Sequence, residues 1–112
     1  QCIQQDSLPV QFKLIVFQRI AEIDKSQNNY EEALVYWQKA ADFEDIDSSI
    51  EIAKYYEHTL KDYQSAYIWT ENAISFLAKK GYHSYQNKKL GKELLKRKDR
   101  LQQRIERKNN HV

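Results

Sequence analysis

Apolar and polar positions along the 112-residue chain recur with the three-to-four-residue period of amphipathic helices. Short polar segments interrupt this period at four places. The pattern predicts helices near residues 8–26, 30–44, 48–59, 63–80 and 85–108. We therefore expect an all-α fold.

Residues that favour helix ends support these boundaries. Ser7 suits the start of the first helix. Ser48 is followed three positions later by Glu51, which is the spacing of a capping box for the third helix. Asp62 suits the start of the fourth helix, and Gly81 suits its C-terminal end.

The chain contains an internal repeat with a period of about 33 residues. The segment YEEALVYWQKAADF (30–43) aligns with YQSAYIWTENAISF (63–76), and four positions are identical. A shift of 32 residues aligns IAEID (20–24) with IAKYY (52–56). The offset changes between two helices, in a loop, where a helical hairpin tolerates an insertion.

These repeats resemble the tetratricopeptide family, whose unit is two antiparallel helices in about 34 residues. The family places small residues late in the first helix and twice in the second helix, which starts with an aromatic residue. The matching positions are Ala21, Tyr30, Ala33 and Ala40, and then Ala53, Tyr63, Ala66 and Ala73. The resemblance covers roughly residues 14–80. It implies a domain over residues 1–80 with two tetratricopeptide-like hairpins (about 14–46 and 47–80), followed by a long basic C-terminal helix within residues 81–112 that caps them.

A second resemblance concerns AKYYEHTLKDYQSAYIWTENAI (53–74) and the basic helix after it. This order is similar to the C-terminal helical region of a bacterial ribonuclease H-like exonuclease family, in which a DEDD-type nuclease domain precedes tetratricopeptide-like helices. The chain starts at Gln1 and carries none of the nuclease motifs. We therefore expect a non-catalytic interaction or accessory module from the C-terminal part of such a nuclease. Its expected partner is another protein or the parent nuclease domain.

Aromatic residues are dense in the third and fourth helices, at Tyr55, Tyr56, Tyr63, Tyr67 and Trp69. Such rings can stack on nucleic-acid bases or pack in a core. The repeat favours the core, because Tyr63 and Trp69 correspond to Tyr30 and Tyr36. Tyr56 and Tyr67 are the two rings that could instead line a concave groove with their hydroxyl groups in water.

The groove between the first helices of the two hairpins is the predicted site for a protein partner. Gln18, Lys54 and Tyr56 are its candidate residues. Recognition of an acidic C-terminal peptide by a carboxylate clamp would need Lys and Asn four residues apart on these helices. The corresponding pairs are Gln18 with Glu22 and Ile50 with Lys54, which disfavours that mode.

Charge is distributed unevenly along the chain. Residues 1–80 carry 8 Lys or Arg against 13 Asp or Glu, a net charge of −5, whereas residues 81–112 carry 10 against 3, a net charge of +7. Six of the basic residues recur every fourth position and are candidate phosphate-binding residues: Lys88, Lys92, Lys96, Arg100, Arg104 and Lys108.

The basic tail has three interpretations. It can be a solvated helix that caps the repeats, a helix that binds nucleic-acid phosphates, or a helix that pairs with the acidic segment over residues 42–51. The second interpretation gives the alternative function, a nucleic-acid-binding module. Because Leu90, Leu94, Leu101 and Ile105 form only a thin apolar stripe, we expect only the first turns of this helix to dock.

No motif predicts an enzyme, a metal site or a cofactor. His58, His83 and His111 do not form a metal-binding pattern, and Gly91-Lys92 lacks the rest of a phosphate-binding loop. We interpret the adjacent Glu57 and His58 as a helix end and not as an acid–base pair. We therefore expect no catalytic residues and no small-molecule substrate.

The single cysteine, Cys2, cannot form a disulfide within this sequence, which is typical of a reducing compartment. No segment approaches the 18 or so consecutive apolar residues of a membrane span. The sequence thus predicts a cytoplasmic protein without a membrane partner.

Overall fold

The computed structural model describes residues 9–110, which form five α-helices and, within those residues, no strand. The helices are α1 (Val10–Ser26), α2 (Tyr30–Ala41), α3 (Ile46–His58), α4 (Tyr63–Lys80) and α5 (Tyr85–Asn109). The predicted all-α class is confirmed, and every helix end lies within three residues of its predicted position. Cys2, Ser7 and His111 lie outside the described residues. In residues 9–110 no helix has the length and apolar character needed to cross a membrane.

The start of α3 differs from the prediction. Asp45, and not Ser48, is the N-terminal cap, and the helix begins at Ile46. The backbone amide and the hydroxyl group of Ser48 both donate to Oδ2 of Asp45, at 3.1 and 2.5 Å. The predicted capping box of Ser48 and Glu51 is therefore wrong. Asp45 is the N-cap because its carboxylate accepts both hydrogen bonds from Ser48, whereas the side chain of Glu51 pairs with Lys25.

The two ends of α4 agree with the prediction. Asp62 caps its N-terminus by accepting a hydrogen bond from the backbone amide of Ser65, at 3.1 Å. Gly81 ends the helix with a φ angle of +93° and donates its amide to the carbonyl of Leu77. That backbone conformation is accessible to glycine and costly for other residues, so α4 stops there.

The core follows the order of the helices, because each helix packs mainly on the next one along the chain. Alanines at the repeated positions lie at these contacts and are 0% exposed: Ala21, Ala33, Ala40, Ala53, Ala66 and Ala73. A methyl side chain lets two helix backbones approach closely. Larger side chains fill the space beside them, with Trp37 and Ile52 in one cluster and Leu77 and Leu94 in a second.

The dense aromatic residues are all partly buried, and two of them pack on the core. Packing agrees with the repeat for Trp69, whereas Tyr56 is a candidate groove residue that packs on the core instead. Tyr56 and Trp69 pack against the first cluster. Two others are covered by cations from α5: Arg104 lies over the ring of Tyr63, at 5.4 Å from the ring centroid, and Lys98 over that of Tyr67, at 5.8 Å. These rings therefore serve as packing and docking surfaces for neighbouring helices.

Docking of α5 extends beyond its first turns. Leu94 and Leu101 are both buried, and Leu101 is 0% exposed. The expectation that only the first turns dock is wrong, because polar contacts from Lys98 and Arg104 continue the interface where the apolar stripe is thin.

Candidate functional site

A cleft of about 840 Å³ lies between α1, α3 and α5. The walls of the cleft therefore come from alternate helices, and Trp37 of α2 also lines it. The apolar part of the lining comes from Trp37, Ile50, Leu90 and Leu94, and charged side chains surround it. Its mixed apolar and polar lining is suited to an extended surface of another molecule.

Side-chain contacts fix how α1 lies beside α3. Gln18 donates its amide to Oδ2 of Asp45, at 3.1 Å, and Lys25 pairs with Glu51, also at 3.1 Å. From the first contact to the second, the chain advances by seven residues on the α1 side and by six residues on the α3 side. The two helices therefore advance in the same direction along the cleft.

The opposite wall is tied to α3 by a buried carboxylate. The side chain of Glu57 is 4% exposed and accepts hydrogen bonds from Arg97, at 2.7 Å, and from Arg100, at 2.9 and 3.0 Å. The two bonds from Arg100 reach both carboxylate oxygens, which is the bidentate geometry that guanidinium groups favour. This cluster (Glu57, Arg97 and Arg100) holds the middle of α5 against the end of α3.

The environment of Glu57 keeps it ionised. Burial by itself would raise the pKa of Glu57, but the hydrogen bond and charge of Arg100, together with the charge of Arg97, outweigh burial and lower the pKa from its ordinary value. A carboxylate held in this form is suited to binding the two arginines and poorly suited to general acid catalysis. His58 is 3.9 Å from Glu57 and points mainly to solvent.

Sequence reasoning missed the role of Glu57. One signal was available: Glu57 follows Ala53 by four positions, which places a carboxylate on the packed face of α3. Arg97 and Arg100 lie three positions apart on α5 and can therefore reach one point together. The chain positions of the three residues do not show that α5 crosses the end of α3.

Charge changes sign along the cleft. Near the start of α3 its lining is acidic, from Asp45, Asp47 and the α1 residue Glu22, while Lys25 and Glu51 pair with each other and Glu93 adds a negative charge from α5. Towards the end of α3 and the middle of α5 it is basic, from Lys54, Lys96, Arg97 and Arg100. Lys54 pairs with Glu51, and Arg97 and Arg100 pair with Glu57, so Asp47 and Glu22 at one end and Lys96 at the other are charges without an ion-pair partner among the described residues.

The predicted groove residues separate into two places. Gln18 and Lys54 both line the cleft. Tyr56 instead packs against the first core cluster and lies edge-on to Tyr55, with ring centroids 6.2 Å apart. The structure therefore brings together two of the three candidate groove residues.

The six candidate phosphate-binding residues also separate. Lys88, Lys92, Lys96 and Lys108 are exposed. Arg100 is bound to Glu57, and Arg104 donates to the hydroxyl oxygen of Tyr63, at 3.2 Å. Within residues 9–110, the ion pairs of α5 lead to Glu57 and Glu71, and none leads to the acidic segment 42–51.

Comparison with known proteins adds no assignment: no protein-family model, curated protein or solved structure matches the chain. In the part of the chain that the structure describes, no group of three or more His, Cys, Asp or Glu residues is arranged to hold a metal ion. The cleft and the exposed surface of α5 are the features from which a function can be inferred.

Proposed function

We propose that this chain is a non-catalytic, tetratricopeptide-like interaction module that binds a segment of a protein partner in the cleft. The observation that carries the proposal is the construction of the cleft from alternate helices α1, α3 and α5. In a stack of helical hairpins the first helix of each pair lines one concave surface, while the second helices pack behind it. In the proposed stack, α5 occupies the place that the first helix of a third hairpin would have.

The repeat supports this arrangement. The alanines that recur in the sequence are fully buried at contacts between consecutive helices. In the proposed arrangement α1 pairs with α2, α3 pairs with α4, and α5 covers the last apolar surface. The resemblance to the C-terminal region of ribonuclease H-like exonucleases makes a nuclease domain one candidate partner.

The lining of the cleft defines the chemistry of the partner segment. A basic side chain would lie beside Asp47, near the start of α3, and an acidic side chain beside Lys54 or Lys96. An apolar side chain between them would pack on Ile50 and Leu90. A segment with this order of charges is attracted in one orientation and repelled in the reverse one.

Selection from a displayed library of random 12-residue peptides tests the proposal. We expect peptides that bind the wild-type chain to carry basic, apolar and acidic residues in one order. Glu22→Trp and Glu93→Trp place bulky groups in the cleft at exposed positions, so each should weaken binding at least ten-fold in isothermal titration calorimetry. Glu106→Trp is the matched control, because it is exposed on α5 away from the cleft.

Two results would contradict the proposal. One is a library that yields no peptide binding above the background of an unrelated helical protein. The other is a set of selected peptides that bind both tryptophan variants as tightly as the wild type, since these peptides would bind elsewhere.

A further inference from the structure

The first turn of α5 presents an aromatic ring to solvent. Tyr85 is 79% exposed, the largest value among the exposed large apolar and aromatic side chains of the described residues. Most other tyrosines in residues 9–110 are partly buried against neighbouring helices, and none has comparable exposure. Packing therefore does not account for the ring of Tyr85.

Four lysines share the helix face on which Tyr85 lies. Lys88, Lys89, Lys92 and Lys96 follow it by 3, 4, 7 and 11 positions, and all four are exposed. At about 100° per residue these five side chains fall within an arc of roughly 100°, opposite the buried Leu94. Along the helix axis the face spans about 16 Å. We call these five residues the Tyr85 face.

The positive charge of this face is available to a ligand. Residues 81–92 contain no Asp or Glu, and the one acidic residue between Tyr85 and Lys96 is Glu93, which lines the cleft at the edge of this face. Among the ion pairs of residues 9–110, none involves Lys88, Lys89, Lys92 or Lys96. These lysines differ in this respect from Arg97 and Arg100, which form ion pairs with Glu57.

A second ring fixes the segment before the face. Tyr82 packs on α5 at Gly91, where a methyl group added to the glycine would lie 3.0 Å from Cε1 of the tyrosine. The absence of a side chain at Gly91 thus lets the ring lie against the helix. Ser84 then caps α5 by accepting the amide hydrogen bond of Asn87, at 3.0 Å. The start of the Tyr85 face is therefore held in place.

We propose that the Tyr85 face binds single-stranded nucleic acid. The ring of Tyr85 stacks on an unpaired base, and the four lysines contact successive backbone phosphates. Proteins that bind single strands combine a basic surface that follows the backbone with exposed aromatic side chains on which bases stack. An acidic protein surface would use the lysines but would give the exposed ring no role, and a duplex would not offer an unstacked base.

Fluorescence anisotropy with labelled 12-nucleotide oligo-dT and oligo-U tests this inference on the full chain. Four phosphate contacts predict that the logarithm of the association constant falls with the logarithm of salt concentration, with a slope of about −2.8. Tyr85→Ala should weaken binding about ten-fold without changing the slope, and Tyr85→Phe should keep the affinity. Lys88→Ala combined with Lys92→Ala should reduce the slope by about half.

The matched control combines Lys13→Ala with Arg19→Ala, which removes two positive charges from α1 and should leave the salt slope unchanged. The inference is overturned if neither oligonucleotide binds at 50 mM salt, or if Tyr85→Ala binds as tightly as the wild type. It is also overturned if a 12-base-pair duplex binds equally well. Equal competition by poly-glutamate would assign the face to an acidic protein instead. None of these results depends on peptide binding in the cleft.

Discussion

At the scale of single residues, Glu57 is the buried charge on which the attachment of α5 depends. Its carboxylate accepts hydrogen bonds from Arg97 and Arg100 and is almost completely shielded from water. Removing its charge leaves Arg97 and Arg100 without a partner, although Arg100 is 44% exposed and can be hydrated. We therefore expect Glu57→Gln to lower the free energy of unfolding by about 2 kcal/mol in urea denaturation at pH 7, less than for a fully buried pair. Glu106→Gln, at an exposed position on α5, should change it by less than about 0.5 kcal/mol.

The stabilisation by Glu57 should depend on pH with a defined sign. Because the folded-state pKa of Glu57 lies below its ordinary value of 4.5, the contribution is complete above that pH. It disappears as the pH falls through the lower folded-state pKa. Urea midpoints measured from pH 7 to pH 3 should therefore show wild type and Glu57→Gln converging at the acidic end. A constant difference across this range would show that the carboxylate charge is not the source of the stabilisation.

Asp24 is a second buried carboxylate, with a different environment. Its Oδ2 atom is buried and has no hydrogen-bond partner among the described residues. Burying a carboxylate oxygen without a hydrogen-bond partner costs more free energy than burying an amide atom, so Asp24→Asn should raise the free energy of unfolding by about 1 kcal/mol. Thermal and urea denaturation measure the change. A loss of stability would show that the carboxylate makes a favourable interaction that an amide cannot replace.

At the scale of helices, the boundaries were predictable because their determinants are local. The three-to-four-residue period of apolar positions is local in the sequence, and Asp62 and Gly81 act within a few residues of the helix ends that they define. The cap of α3 was mispredicted because Ser48 and Asp45 are both competent capping residues. Only the folded backbone places the carboxylate of Asp45 where Ser48 donates to it.

The attachment of α5 was much less predictable than its boundaries. Glu57 and Arg100 are 43 positions apart, and their contact depends on how three helices pack. The same packing separates the six basic residues that recur every fourth position into paired and solvent-exposed groups. Arg100 and Arg104 turn towards α3 and α4, whereas Lys88 and Lys92 remain in solvent. A four-residue spacing fixes the angle between side chains but not the face that becomes buried.

Truncation of Leu101 measures how far along α5 the docking extends. Leu101 is fully buried, so Leu101→Ala should lower the free energy of unfolding by about 3 kcal/mol. Leu95→Ala is the matched control, because Leu95 is 54% exposed on the same helix and should cost less than about 1 kcal/mol. Equal effects in urea denaturation would place the end of the docked region before Leu101.

At the scale of the whole molecule, α5 separates two surfaces of different chemistry. One side contributes Leu90 and Glu93 to the cleft, where charges of both signs are present. The other side is the Tyr85 face, which carries positive charge alone. The two proposed ligands can therefore occupy the same helix without sharing most of their contacts.

Lys96 is the exception, because it lines the cleft and also ends the Tyr85 face. Lys96→Ala should therefore weaken both the selected peptide and oligo-dT, by about three-fold to ten-fold each at low salt, since each loses one charge contact. Lys88→Ala should weaken only oligo-dT, and Glu22→Trp should weaken only the peptide. Measuring both affinities for all three variants tests this division. If Lys88→Ala also weakened the peptide, the two ligands would be competing for one surface, and α5 would not separate them.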